Sequence, residues 1–190
     1  MGAAVPSRVA YAEYLVAERA RDVKHEYLDG IERAMAGGTI EHGRLASRFD
    51  RLLGAALGNR ACEVFSSDVR VRVQAANRSF YPDLSVVCGR IERAADDPDA
   101  IVNPVVIVEV LSERTEGYDR GEKFRHYRRV ASLRKYVLVA QDSALVEVWR
   151  REGDTWRVIE HGAAGEIELV SLDAAVSVDE LYRDPLAGHA

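Results

Sequence analysis

The chain has 190 residues, enough for one domain with a full hydrophobic core. Its hydrophobic fraction of 47% and charged fraction of 30% suit a globular protein in water, and its net charge of −5 excludes a protein that is basic all over. A local basic face toward nucleic acid stays open. Cys62 and Cys88 lie far apart without C-x-x-C spacing, which predicts free thiols in a reducing compartment and no zinc motif. No apolar run reaches membrane-spanning length, and the opening M-G-A-A-V-P-S-R lacks the apolar core of a signal peptide. The expectation is a cytoplasmic protein with no membrane partner.

In chain order, residues 10–21 carry apolar side chains at helical spacing and predict a short amphipathic helix. The Leu28-Asp29-Gly30 step is a hairpin signal, with short strands at about Glu26–Leu28 and Glu32–Met35. Gly37-Gly38 reads as a turn, and Thr39 is placed to cap the next helix. From Ile40 to Leu57, Leu45, Phe49, Leu52, Leu53 and Leu57 recur on one helical face, and Gly58-Asn59 ends the helix. Cys62–Phe65 and Val69–Val73 read as strands, the second with arginines on one face and valines on the other. Phe80–Cys88 reads as one more strand with Pro82 near its start. Residues 89–103 read as a polar loop. Val105–Leu111 is an apolar strand, and a helix is predicted from about Tyr118 to Val130. Leu133–Ala140 is a second apolar strand, which a right-handed crossover would set parallel to the first. A hairpin turns about Glu152-Gly153-Asp154, Glu166–Val170 is a short strand, and Ser177 caps a terminal helical turn from Val178 to Tyr182. The hairpin of residues 144–160 either extends the sheet or forms a dimer contact.

Glu109 is the sharpest chemical signal. It shares a strand face with Val105, Ile107 and Leu111, while Val106, Val108 and Val110 share the other. A carboxylate inside such a strand needs a cation, from a side chain or a metal. The alternative is a structural salt bridge, for instance to an arginine of Val69–Val73. Asp83, after Pro82, is either a solvated strand-entry residue or a second carboxylate beside Glu109; two converging acids suit Mg2+ or Mn2+. Lys123 lies at the edge of the inward helix face defined by Phe124, Tyr127 and Val130, within reach of the strand end that carries Glu109. Its alternative is a surface pair with Asp119 one turn earlier. Between Arg114 and Lys135 basic residues outnumber acids, and Arg120 and Arg125, with Arg70 and Arg72, are the candidate nucleic-acid contacts. A solvated helix face is the other explanation of such a charge run.

The ordered set H-E-Y-L-D-G, E-H-G-R-L-A, S-S-D-V-R-V-R-V, Y-P-D-L-S-V-V-C, V-E-V-L-S and Y-D-R-G-E-K-F-R-H-Y-R-R-V resembles the PD-(D/E)XK nuclease superfamily. The likeness is to its Uma-type, restriction-endonuclease-like family, and runs from about residue 9 to 150. The resemblance implies an α/β fold: a central mixed β-sheet flanked by helices, with extra antiparallel strands. It is expected to form a single domain over residues 1–190, with an N-terminal helix and hairpin (1–38), a core (39–141) and a C-terminal antiparallel extension (142–190). It implies Asp83 and Glu109 as ligands of Mg2+ or Mn2+, and a DNA endonuclease that works as a homodimer. The superfamily often places its lysine two residues after the second acid, where this chain has Leu111. The Uma-type pattern moves the lysine to the following helix, and Lys123 matches that placement. Glu41, His42, Asp68 and Tyr127 are secondary candidates. The competing expectation is a non-catalytic binding or assembly module in which Glu109 and Lys123 form a structural salt bridge.

Overall fold

Local sequence dictates the longest helix. Thr39 accepts a hydrogen bond from the His42 backbone N–H, which satisfies one of the open donors of the first turn. Leu45, Phe49, Leu53 and Leu57 then recur at four-residue spacing and are all buried, each contributing about 2 kcal/mol of apolar burial. Gly58, with φ of 55°, ends the helix. The computed structural model of the chain describes residues 8–169 and 172–184. Residues 1–7, where no signal peptide is expected, and Val170, expected at a strand end, lie outside the described residues.

The elements run α1 (Tyr11–Arg19), β1 (His25–Leu28), β2 (Ile31–Ala34), α2 (Ile40–Leu57), β3 (Cys62–Ser66), β4 (Arg70–Val73), β5 (Arg78–Phe80), β6 (Leu84–Cys88), β7 (Arg93–Ala94), β8 (Asp97–Ile101) and β9 (Val106–Val110). A helical stretch continues the chain in three joined pieces: α3 (Glu116–Tyr118), a π-helical turn (Asp119–Lys123) and α4 (Phe124–Tyr127). Then come β10 (Lys135–Val139), β11 (Val146–Glu152), β12 (Thr155–His161), β13 (Glu166–Leu169), β14 (Ala174–Ser177) and α5 (Val178–Tyr182). One mixed sheet has the order β12-β11-β10-β9-β6-β3, a second has the order β2-β1-β5-β4-β8-β7, and β13 pairs with β14. β9 and β10 are parallel, joined over the helical stretch as the crossover rule requires. The hairpin of residues 144–160 extends the first sheet as β11 and β12.

The two faces of β9 divide the interior as the alternation predicts. Val106, Val108 and Val110 join the α2 leucines, β13, β14 and α5 in one core. Ile107 and Leu111 join Phe124, Tyr127 and Val130 of the helical side, with Val71, Val73 and Phe80 from the second sheet, in the other. The strand is covered on both sides, which is why its apolar run is unbroken except at Glu109.

Three expectations need correction. Phe80–Cys88 is not one strand. Phe80 ends β5 in the second sheet and Leu84 begins β6 in the first, so Tyr81-Pro82-Asp83 is the corner that carries the chain between them. Pro82 has no N–H for a ladder, and a break there is less disruptive than a break among the flanking residues. Residues 89–103 are more than a loop, because they hold β7 and β8, and β8 pairs with β4 in parallel. Cys62 and Cys88 are not free thiols. β3 and β6 pair antiparallel with Cys62 opposite Cys88, the Cα atoms are 4.0 Å apart, and the sulfurs are bonded. Sequence separation hid a cross-strand neighbour.

Arg70 and Arg72 are also corrected as nucleic-acid contacts, because both are buried and committed within the protein. Arg70 grips Asp97 through two bonds, Nε to Oδ2 at 2.8 Å and Nη2 to Oδ1 at 3.0 Å, and donates to the Tyr81 hydroxyl at 2.8 Å. Tyr81 donates in turn to Glu18 at 3.0 Å, so the network ties α1 to the corner before Asp83. Arg72 pairs with Asp96 at 2.9 Å and lies 3.7 Å from the ring centre of Tyr11.

Asp97→Ala takes from the buried Arg70 guanidinium its two-bond partner, leaving only the half-exposed Asp99 at 3.9 Å, and should lower the unfolding free energy by about 3 kcal/mol in urea titrations at neutral pH. Burial alone would raise the Asp97 carboxyl, but its bonds from Arg70 outweigh burial and hold it below its ordinary value. A depressed carboxyl contributes its stability above the unfolded-state pKa of about 3.9 and loses it as pH falls through the native value. The difference between wild type and Asp97→Ala should therefore be full at neutral pH and shrink as the medium is acidified below that range.

Candidate active site

The site forms where β9, β6, the β1–β2 hairpin, the start of α2 and the helical stretch converge on a cleft of about 330 Å³. Glu109 projects from β9 and is buried. β6 lies antiparallel beside β9, with Leu84 opposite Val108, so Asp83 enters the cleft next to the same strand end. Its Oδ2 accepts the Val110 backbone N–H at 2.7 Å, and its Oδ1 lies 2.9 Å from His42 Nε2. The cap at Thr39 sets the first turn of α2 so that His42 faces this carboxylate.

Lys123 closes the arrangement. Its Nζ lies 2.7 Å from Glu109 Oε1, 3.3 Å from Glu26 Oε1 and 3.6 Å from Asp119 Oδ1. Asp119 and Lys123 are four residues apart, so both face inward from the π turn while Gly121 and Glu122 between them stay exposed. The buried Tyr127 donates its hydroxyl to Glu109 Oε1 at 3.2 Å.

The electrostatics reflect burial and crowding. Burial pushes the Glu109 carboxyl well above its ordinary range, opposed by the Lys123 ammonium and reinforced by Asp119 and Asp83. Burial works against the Lys123 ammonium, but Glu109, Glu26 and Asp119 outweigh it and hold its pKa well above the lysine range. The hydrogen bond to Asp83 raises the His42 imidazole. Glu26, Asp83, Glu109 and Asp119 thus line one cleft with a single lysine and a single histidine. This acid excess fits a divalent cation in donor type and in charge. Among the described residues no group of three or more Asp, Glu, His or Cys side chains is placed to hold a metal ion, so any cation here would rest on two carboxylates. A site of only one or two carboxylates is the setting in which Mg2+ keeps several waters and takes substrate oxygens.

Of the residues singled out in the sequence, Asp83, Glu109, Lys123, His42 and Tyr127 come together. Glu41 turns aside to Arg44, with its Oε2 2.8 Å from Arg44 Nε. Asp68 is exposed and pairs with Lys24 outside the cleft. Arg120 is tied to Glu147 at 2.5 Å, and Arg125 lies exposed on α4. Sequence reasoning missed Glu26 as a site residue and treated Asp119 only as a surface partner of Lys123. Glu26 stands between His25 and Tyr27 in a four-residue strand, so it lacks the apolar flanks that make Glu109 conspicuous, and β1 belongs to the other sheet.

The Uma2 family model, described as "Putative restriction endonuclease", matches residues 11–179. The chain belongs to this family. Two proteins of Synechocystis sp., both described as uncharacterized, resemble it over most of their length. The protein slr1290 is 35% identical over 172 residues, covering 90% of this chain and 90% of that protein. The protein sll1609 is 35% identical over 160 residues, covering 83% of this chain and 90% of that protein. A crystal structure from Anabaena variabilis, described as "a putative nuclease belonging to DUF820", superposes with a TM-score of 0.75 at 17% identity. The match covers 92% of this chain and 97% of that one, and it identifies the fold as restriction-endonuclease-like. Three segments that carry the sequence resemblance fall on the cleft: H-E-Y-L-D-G with Glu26, Y-P-D with Asp83, and V-E-V-L-S with Glu109.

Lys123→Met removes the one lysine from among buried carboxylates and should cost about 3–5 kcal/mol in urea unfolding. Tyr127→Phe removes a hydroxyl and keeps the ring, and should cost only about 1 kcal/mol in the same assay.

Proposed function

We propose that this protein is a metal-dependent endonuclease that hydrolyses phosphodiester bonds in DNA, with Asp83 and Glu109 as the metal ligands and Lys123 as the assisting cation. The observation that carries the reading is the convergence of Asp83 and Glu109, from neighbouring antiparallel strands, on a cleft that also contains a buried lysine. Membership of a family described as "Putative restriction endonuclease" supports the substrate class. Mg2+ or Mn2+ held by the two carboxylates would supply a polarised phosphate oxygen and a water of lowered pKa.

The chain's own residues do the positioning. The Val110 N–H and His42 fix the Asp83 carboxylate, and Tyr127 fixes that of Glu109. Glu26 and Asp119 hold the Lys123 ammonium in its charged form at the cleft. There it meets negative charge as that charge develops on the phosphoryl oxygens. Cutting both strands of a duplex calls for two such sites, and a two-fold homodimer supplies them. The direct Glu109–Lys123 contact favours a second reading, a nuclease-like binding or assembly module in which that ion pair is purely structural.

Nicking of supercoiled plasmid in Mg2+ or Mn2+ separates the readings. Wild type should nick, a chelator should abolish nicking, and Asp83→Ala and Glu109→Ala should each lower the rate by at least about a hundredfold. Equal cleavage by wild type and Asp83→Ala discards the site. Absence of nicking together with absence of Mn2+ binding, in protein that is folded, selects the module.

A further inference from the structure

We propose that Arg33 and Arg114 form an anion-binding rim above the acidic floor and grip the phosphates that flank the scissile one. This makes the substrate a polynucleotide strand in preference to a small phosphodiester, and it rests on the nuclease reading given above.

Both arginines line the same cleft as Asp83 and Glu109, and both are exposed. They come from different elements. Arg33 lies on β2, directly opposite Glu26 of β1 in the hairpin ladder, so the two side chains leave the same face of the hairpin. The Glu26 carboxylate is turned to Lys123 at 3.3 Å. The Arg33 guanidinium lies instead over the Tyr118 ring, 4.2 Å from its centre, which holds it at the cleft without neutralising its charge. Arg114 lies in the segment that leads from β9 into α3, just outside the strand end that carries Glu109. Among the described residues neither arginine has a carboxylate within ion-pair distance, unlike Arg70, Arg72 and Arg120.

The charge pattern explains why such a rim is needed. A polyanion approaching a floor of four carboxylates is repelled unless positive charge meets it first. A metal at the floor serves the phosphate being cut, and does little for the next phosphates along the strand. Two unpaired guanidiniums at the mouth meet those, with planar forks suited to phosphate oxygens. Arg33 over Tyr118 is pre-set for this, and loses less side-chain freedom on binding than a free arginine would.

The test is binding of a fluorescein-labelled single-stranded DNA oligonucleotide, read by anisotropy in calcium over a series of salt concentrations. The Arg33→Ala/Arg114→Ala double variant should bind roughly a hundredfold more weakly, about tenfold per arginine. The slope of log affinity against log salt should become shallower by about 0.7 for each phosphate that is no longer neutralised. The Arg33→Lys/Arg114→Lys variant keeps the charges and should keep the wild-type slope. A merely structural role for the Arg33–Tyr118 stacking would shift the unfolding midpoint and leave that slope in place. An alanine variant with wild-type affinity and slope overturns the proposal, as does a wild-type protein that does not bind the oligonucleotide. Cleavage of the same strand by Asp83→Ala in magnesium is scored separately. If that variant cuts like wild type, the nuclease reading falls while the binding result still decides the role of the rim.

Discussion

The ion pair between Lys123 and Glu109 is the constraint on which the architecture turns. It places a full positive charge where three carboxylates can reach it, with both partners withdrawn from water. Neither charge is tolerable there alone. The helical stretch must stay seated against β9, and the β1–β2 hairpin must stay seated over both, or the charges lose their partners. One interaction thus links the first sheet, the second sheet and the helical layer, and the elements that hold the fold together are the ones that build the cleft.

The Tyr81-Pro82-Asp83 corner serves the same end. The chain leaves one sheet at Phe80 and joins the other at Leu84, so Asp83 sits at a boundary. Arg70, Asp97, Tyr81 and Glu18 brace that boundary. A buried polar network in this position restrains the corner's geometry. The Val110 N–H then takes one Asp83 oxygen directly, joining the corner to the strand of Glu109.

Local chemistry made much of this legible in the sequence. Asp29 and Gly30 both have positive φ, the conformation that an Asp-Gly hairpin step demands, and the strands on either side pair as expected. The Thr39 cap, the four-residue spacing of α2 and the two faces of β9 are also local signals. Glu109 could be singled out because an acid in a covered strand is conspicuous, and Asp83 and Lys123 as partners for it that the family resemblance also implied. The features that escaped depend on contacts between distant segments. The alternation of β4 looks the same whether its arginines face solvent or meet Asp96 and Asp97. An apolar run through Pro82 does not announce that it changes sheets. The cysteines read as separate because their strands become neighbours only in the folded sheet, and Glu26 joins the site from a sheet other than that of Glu109.

The π turn has a consequence beyond widening one loop of helix. Successive residues of an α-helix are about 100° apart around the axis, so one additional residue in a turn shifts everything beyond it by that angle. α3 and α4 are therefore helical segments out of phase with one another. The first answers to the cleft through Tyr118, the π turn through Asp119 and Lys123, and the second to the apolar interior through Phe124 and Tyr127. A helix of uniform pitch would have to serve both with one stripe. By breaking phase at Asp119–Lys123, the chain lets the requirements of chemistry and those of packing vary independently within a dozen residues of sequence.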